Sequence, residues 1–304
     1  MRDRHHAKLA DRGNALPKNE SFGWSALTAR TDVRANWCLG GALLVLIAGG
    51  GVVPAQREGD DPWRAAAQQL LEEAHAGFSE AKGASVDDPQ MLLGRAAVLL
   101  NLQPKTDGRV DRAIELFEKI MTEHSGEDVA VEAEYLRARA EQVHRAEPDL
   151  AKARRQFRQL IDAHSGHRLA DIASVKFATL EVWTGRADEQ ALAIQRWNER
   201  VGAITYGPAR KDLHLLLADA EKYVTGDKAA ALGHFIQAEK LGIANAKTRG
   251  DVVFQIGEFA HEVGRNDVAR KFYEKFLKDF RRDVRRPVVE SRLRKIGTGK
   301  EGAS

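Results

Sequence analysis

Ten histidines in 304 residues make metal ligation the first chemistry to test. His164 and His167 are the closest useful pair, yet no carboxylate–histidine set with a familiar zinc spacing accompanies them. His261-Glu262 lacks the second histidine that would set two ligands one helical turn apart. Cys38 is the only cysteine, so neither an intrachain disulfide nor a cysteine metal cluster can form. Gly297-Thr298-Gly299-Lys300 has part of a phosphate-loop spacing, but the upstream glycine, the following Ser/Thr and the preceding strand are missing. Ser125 and Ser165 each stand beside a histidine, as a nucleophile stands beside its base. No G-x-S-x-G turn occurs, and nothing supplies an orienting third group or oxyanion donors. The expectation is a chain without catalytic residues, metal ligands or cofactor, whose recurrent carboxylates read as solvated helix faces.

One charged region stands out. Lys278 through Lys300 is rich in Arg and Lys, densest at Arg281-Arg282-Asp283-Val284-Arg285-Arg286. Arg281, Arg282, Arg285 and Arg286 read either as part of a charged capping helix or as a contact patch for an acidic protein, an anionic lipid or a glycan.

The elements behind these residues are repeated. Laid over one another at an offset of 40 residues, Asp111–Gly126 and Ala151–Gly166 match: Ala113 falls on Ala153, Phe117 on Phe157, Ile120 on Leu160, and His124-Ser125-Gly126 on His164-Ser165-Gly166. A small residue, an aromatic four on and an aliphatic three further share one stripe of a helix. Ala231, Phe235 and Ala238 restore the spacing, and Ala269, Tyr273 and Phe276 do so again, with Gly257 twelve residues before Ala269. Gly257 and Ala269 allow close helix approach while Tyr273 fills the adjoining space. A one-striped helix cannot bury its face alone, so the copies must stack.

The fold class expected is all-α. Proline is scarce, at 8 residues, and no sustained period-2 stretch appears. Asp61 caps a first helix from Pro62 to about Lys82, and Asp88-Pro89 opens a second to about Leu102. Helices follow over 111–123, 128–145, from 151, and over 167–182, 188–201, 213–223, 228–240, 252–263, 267–280 and 284–296, with Asn266 as a cap. Tyr206-Gly207-Pro208 marks a soft boundary or a longer loop within a helical domain over 62–296, and 297–304 is a tail.

The first 55 residues hold seven of the 47 Arg/Lys and four of the 44 Asp/Glu, leaving 40 of each sign in the body. That balance argues against nucleic acid as a partner. Residues 1–36 are polar and lack an apolar stripe, as disordered segments do. Residues 37–53 are uncharged over 17 positions, which as a helix would span roughly 25 Å, near the lower limit for crossing a bilayer. Either they anchor the chain in the inner membrane, with the basic leader inside, or they are a signal cleaved near Ala55, with 54–61 as a linker. Both readings put the body outside the cytoplasm.

These spacings resemble tetratricopeptide repeats over about residues 88–296, with 250–283 the closest single unit. The resemblance implies a solenoid of antiparallel helix pairs. Phe117 through Gly126, followed by Ala130 and Ala133, is similar to periplasmic members: the repeat lipoprotein of the outer-membrane β-barrel assembly machinery and the cell-division coordinator proteins. They imply a non-enzymatic scaffold that binds an envelope protein or peptide. An accessory protein for cell-wall polymer or its synthetic machinery is the alternative, and a small-molecule enzyme a third reading.

Overall fold

The computed structural model describes residues 71–80 and 87–298, and every regular element in them is helical. Residues 1–70, with the expected membrane or signal segment, the linker and the Asp61 cap, lie outside the described residues. Of the first expected helix the structure describes α1, Leu71–Glu80. There follow α2, Pro89–Asn101; α3, Asp107–Glu123; α4, Asp128–Arg139; α5, Leu150–Ala163; and α6, Arg168–Thr184. The remainder are α7, Ala187–Arg200; α8, Gly207–Ala220; α9, Lys228–Leu241; α10, Ala246–Glu262; α11, Asn266–Asp279; and α12, Arg286–Thr298. Two of them run on into a π-helical turn, α4 through Ala140–His144 and α8 through Glu221–Thr225. No described helix is long and apolar enough to cross a membrane.

Local chemistry sets many of these ends. Asp88 Oδ1 accepts from the backbone N–H of Gln90 and Met91 at 3.0 Å, with Pro89 in the first turn where its missing N–H costs nothing. Asp149 caps α5 and Asp227 caps α9 in the same way. The two His-Ser-Gly turns are copies in space as well as in sequence: His124 N donates to Ile120 O at 2.9 Å, and His164 N to Leu160 O at 3.0 Å. Each turn ends on a left-handed glycine, Gly126 at φ 92° and Gly166 at φ 86°, a conformation that other residues enter only with strain.

Several helices begin earlier than the sequence pattern suggests. Thr106 caps α3, which starts at Asp107, four residues before Asp111, and α8 starts at Gly207 and α10 at Ala246. Gly207 and Pro208 thus form the first turn of α8, and Asp171 ties the approach to it by accepting from Thr205 N, Thr205 Oγ1 and Tyr206 N at 2.7–3.0 Å. Asn266 is the first residue of α11 instead of its cap, because Arg265 holds the cap position and donates its N–H to Ala260 O at 2.7 Å.

Successive helices pack as antiparallel pairs, α2 with α3 through α10 with α11, and α12 closes on α11. The stripe residues are where the pairs meet. Ala113, Phe117, Ile120, Ala153, Phe157, Leu160, Ala231, Phe235, Ala238, Ala269, Tyr273 and Phe276 are all buried. In the last pair the Tyr273 ring lies directly on the bare backbone of Gly257. A Cβ there would come within 2.5 Å of Tyr273 Cε1 and 2.6 Å of Cδ1. The ring has little freedom to retreat, since its hydroxyl donates to Glu258 Oε1 at 2.5 Å.

Gly257→Ala tests this contact, because helix propensity alone would favour alanine by about 0.5–1 kcal/mol while overpacking costs about 1–3 kcal/mol. The clash outweighs the propensity gain, so urea unfolding should show a net loss. A variant as stable as the parent would show that the ring moves freely.

Candidate functional site

The first and second helices of the pairs are not equivalent. The first helices touch across pairs, α2 with α4, α4 with α6, and α6 with α8. Among the closely packed pairs of described helices, no second helix meets another second helix. Layers at unequal spacing bend an array toward the closer one, so from α2 to α8 the first helices form the inner wall, while α8 and α10 are not among the closely packed pairs.

Crowding from both sides leaves these helices almost no open surface. No residue from Val129 to Arg145 or from Arg168 to Thr184 is fully exposed. Besides Arg168, Glu181 and Thr184, what α6 still shows to solvent is a half-buried stripe at 172, 175, 176, 179 and 183, one helix face made of Ile172, Val175, Lys176, Thr179 and Trp183. This largely apolar strip at the middle of the inner wall is the arrangement best suited to receive another chain.

Buried polar groups collect in the same layer, and each is met by a partner. Glu132 pairs with Arg168 at 3.1 Å, and its burial still pushes the carboxyl pKa up. Burial pushes Glu141 the same way, but hydrogen bonds from Arg145 (2.5 Å) and Lys152 (2.6 Å) outweigh it and hold its pKa down. Glu181 accepts from Trp197 Nε1 at 2.9 Å and Arg196 at 3.1 Å. Glu141 and Glu181 stand 40 residues apart and are internal ties, whereas Glu115, Glu118 and Glu123 are exposed, as expected of solvated helix faces. A solvated face and a paired interior position look alike in a sequence when the cationic partner lies in another helix.

The junction of α7, α8 and α9 is built differently. Here α8 leans on α6 and touches α7 sparingly, and a chain of polar side chains links the three helices. Asn198 Nδ2 donates to Glu221 Oε1 at 2.8 Å, which leaves Asn198 Oδ1 to accept from His234 Nε2 at 2.9 Å. His234 Nδ1 is then a lone pair, and His214 Nδ1 donates to it at 3.0 Å. Thr225 Oγ1 donates to Glu221 Oε2 at 2.6 Å. Burial lowers the pKa of His214 to about 4, with help from His234 and Arg210, and lowers that of His234 against the pull of Glu221. His144, buried with its Nδ1 on Leu100 O at 2.9 Å, is likewise lowered to about 4 by desolvation, then by Arg139 and Lys105.

The residues singled out for chemistry take structural posts. His164 ends α5 with its Nε2 3.3 Å from Glu134, and His167 caps α6 by accepting from Leu169 N at 3.1 Å. Among the described residues no group of three His, Cys, Asp or Glu is placed to hold a metal ion. The four arginines of the terminal patch divide. Arg281 and Arg282 are exposed, whereas Arg285 pairs with Asp251 and Asp283 at 2.9 and 2.6 Å. Arg286 donates to Leu277 O at 2.6 Å and lies 3.5 Å from Glu290.

Sequence reasoning missed one copy of the stripe. Ala193 and Trp197, both buried in α7, stand a further 40 residues on from Ala153 and Phe157. The third position there is Arg200, whose guanidinium lies 6.0 Å from the Trp197 ring centroid. The small–aromatic spacing carried the signal although the aliphatic was absent.

No family model matches the chain, and no curated protein does. Among solved structures, it is similar to a tetratricopeptide repeat protein from Parabacteroides merdae ATCC 43184, at 15% identity over 90% of this chain and 98% of that one, with a TM-score of 0.40. It is also similar to the TPR domain of P58(IPK), at 16% identity over 79% of this chain and 63% of that one, with a TM-score of 0.30. Likenesses this distant carry no argument, and the helical architecture stands on the packing described above.

The depressed histidines give stability a pH dependence of fixed sign. The unfolded chain takes up protons near pH 6.5 that the folded chain refuses until about pH 4, so stability is full above pH 6.5 and is lost as pH falls through that window. Urea midpoints measured from pH 7.5 down to pH 4.5 should fall, and fall less steeply in His214→Gln. Parallel curves would remove His214 from the account.

Proposed function

We propose that this protein is a non-catalytic scaffold of the tetratricopeptide kind, acting in the bacterial cell envelope, whose inner wall binds a segment of a partner protein. One observation carries the reading: in a layer with almost no open surface, α6 keeps a partly exposed strip of Ile172, Val175, Lys176, Thr179 and Trp183. An extended or helical segment laid there would bury apolar side chains against a wall already ordered by its neighbours, so little conformational entropy remains to be lost on the scaffold's side. Internal pairing of Glu141 and Glu181 and the capping roles of His164 and His167 support a non-catalytic reading. The envelope placement rests on the uncharged run 37–53 behind its basic leader, whether that run stays as an inner-membrane anchor or is cleaved near Ala55. The second reading, an accessory protein for cell-wall polymer or its synthetic machinery, shares that location.

A photo-crosslinking residue placed at 175 or 179 should form a protein adduct in intact cells, and one at 195, on the exposed side of α7, should not. Equal adducts at all three positions, or none at 175 and 179, would overturn the assignment of the inner wall. Adducts to glycan in place of protein would favour the cell-wall reading. For the location, alkaline phosphatase fused to the carboxyl end should be active in cells, since that enzyme folds only after export. An inactive fusion present at normal levels would place the body in the cytoplasm.

A further inference from the structure

The turn between α11 and α12 presents a chemistry that the inner wall does not use. Arg285 donates Nε and a terminal nitrogen to the Asp283 carboxylate at 2.8 and 2.6 Å, and its other terminal nitrogen to Asp251 at 2.9 Å. Its guanidinium also lies over the rings of Phe254 and Phe276, 5.0 and 5.3 Å from their centroids. The turn is thereby clamped to α10, and its one carboxylate is directed inward against a cation, which holds the Asp283 pKa below its ordinary value. The flanking acids are engaged too, Asp279 with Arg249 at 2.8 Å and Glu290 with Arg286.

Outward there remain two guanidinium groups and an apolar tip. Arg281 and Arg282 are exposed and unpaired among the described residues, and Val284 between the clamped residues is 91% exposed. Val288, beyond Pro287 in the first turn of α12, is 46% exposed. A single exposed valine is unremarkable by itself. A rigid turn that neutralises its own carboxylate and then offers valines flanked by arginines matches a surface that is anionic at one depth and apolar just beneath it.

We propose that this turn docks on an anionic phospholipid surface, with Arg281 and Arg282 on lipid phosphates and Val284 and Val288 entering the layer below. The planar guanidinium fork suits phosphate oxygens, and each cation placed at an anionic leaflet strengthens the attachment. The proposal goes beyond the inner wall reading and does not depend on it.

The test uses the full-length chain in the Cys38→Ser/Val284→Cys background, labelled at position 284 with an environment-sensitive dye. A local reporter is needed because residues 37–53 could hold the chain on any vesicle. Vesicles of phosphatidylcholine and phosphatidylglycerol in equal parts should shift the dye emission to the blue, while phosphatidylcholine alone should not. Arg281→Glu/Arg282→Glu should weaken that response about tenfold or more, from the loss of two cations at the surface. An unmoved dye, an equal response on neutral vesicles, or an unchanged response in the double variant would overturn the proposal. A shift with soluble polyglutamate and none with vesicles would also overturn it, and would assign the turn to an acidic protein.

Discussion

Cover on both flanks of the first-layer helices is the constraint from which most of this structure follows. A helix with neighbours on opposite sides cannot keep a polar face, so each polar side chain it carries must find a partner inside the protein. Of the buried polar residues, Glu132, Arg139, Glu141, Gln142, His144, Asp171, Ser174 and Glu221 all belong to first-layer helices or their π-helical ends, and only Gln156 belongs to the second layer. The depressed histidines and the long-range ion pairs are consequences of that crowding. So is the scarcity of open surface that makes the α6 strip conspicuous.

The same constraint explains which helices could be read from the chain. Second-layer helices face neighbours on one side and water on the other, and in α3, α5 and α11 this writes a clean stripe: Ala113-Phe117-Ile120, Ala153-Phe157-Leu160, Ala269-Tyr273-Phe276. First-layer helices are apolar on more than one side and carry no comparable phase, so the starts of α8 and α10 were misplaced by about six residues each. Trp197 escaped notice because the third position of its stripe is the charged Arg200, whose guanidinium lies 6.0 Å from the ring centroid. The candidate surface was less legible still. Exposure of Ile172, Val175 and Thr179 is decided by what α4 and α8 leave uncovered, and that is a property of three helices distant in sequence.

Charge was the least reliable guide, for a related reason. Arg285 looked like its neighbours Arg281 and Arg282, yet only its position over Phe254 and Phe276 and between Asp251 and Asp283 gives it a structural role. A run of like residues in sequence therefore splits into two that are tied into the fold, Arg285 and Arg286, and two that the turn displays.

The junction at α7 has a mechanical meaning. On its carboxyl side one apolar cluster runs unbroken from Leu215 to Ile296, drawing on every helix from α8 to α12. At the junction itself α7 is joined to α8 and α9 through Asn198, His214, His234 and Glu221, whose hydrogen bonds water can replace one at a time. Apolar packing offers no such exchange. Tension applied along the array would first loosen α7 from α8 and α9 at this seam, while α8 keeps its packing on α6 and the carboxyl-terminal block stays intact.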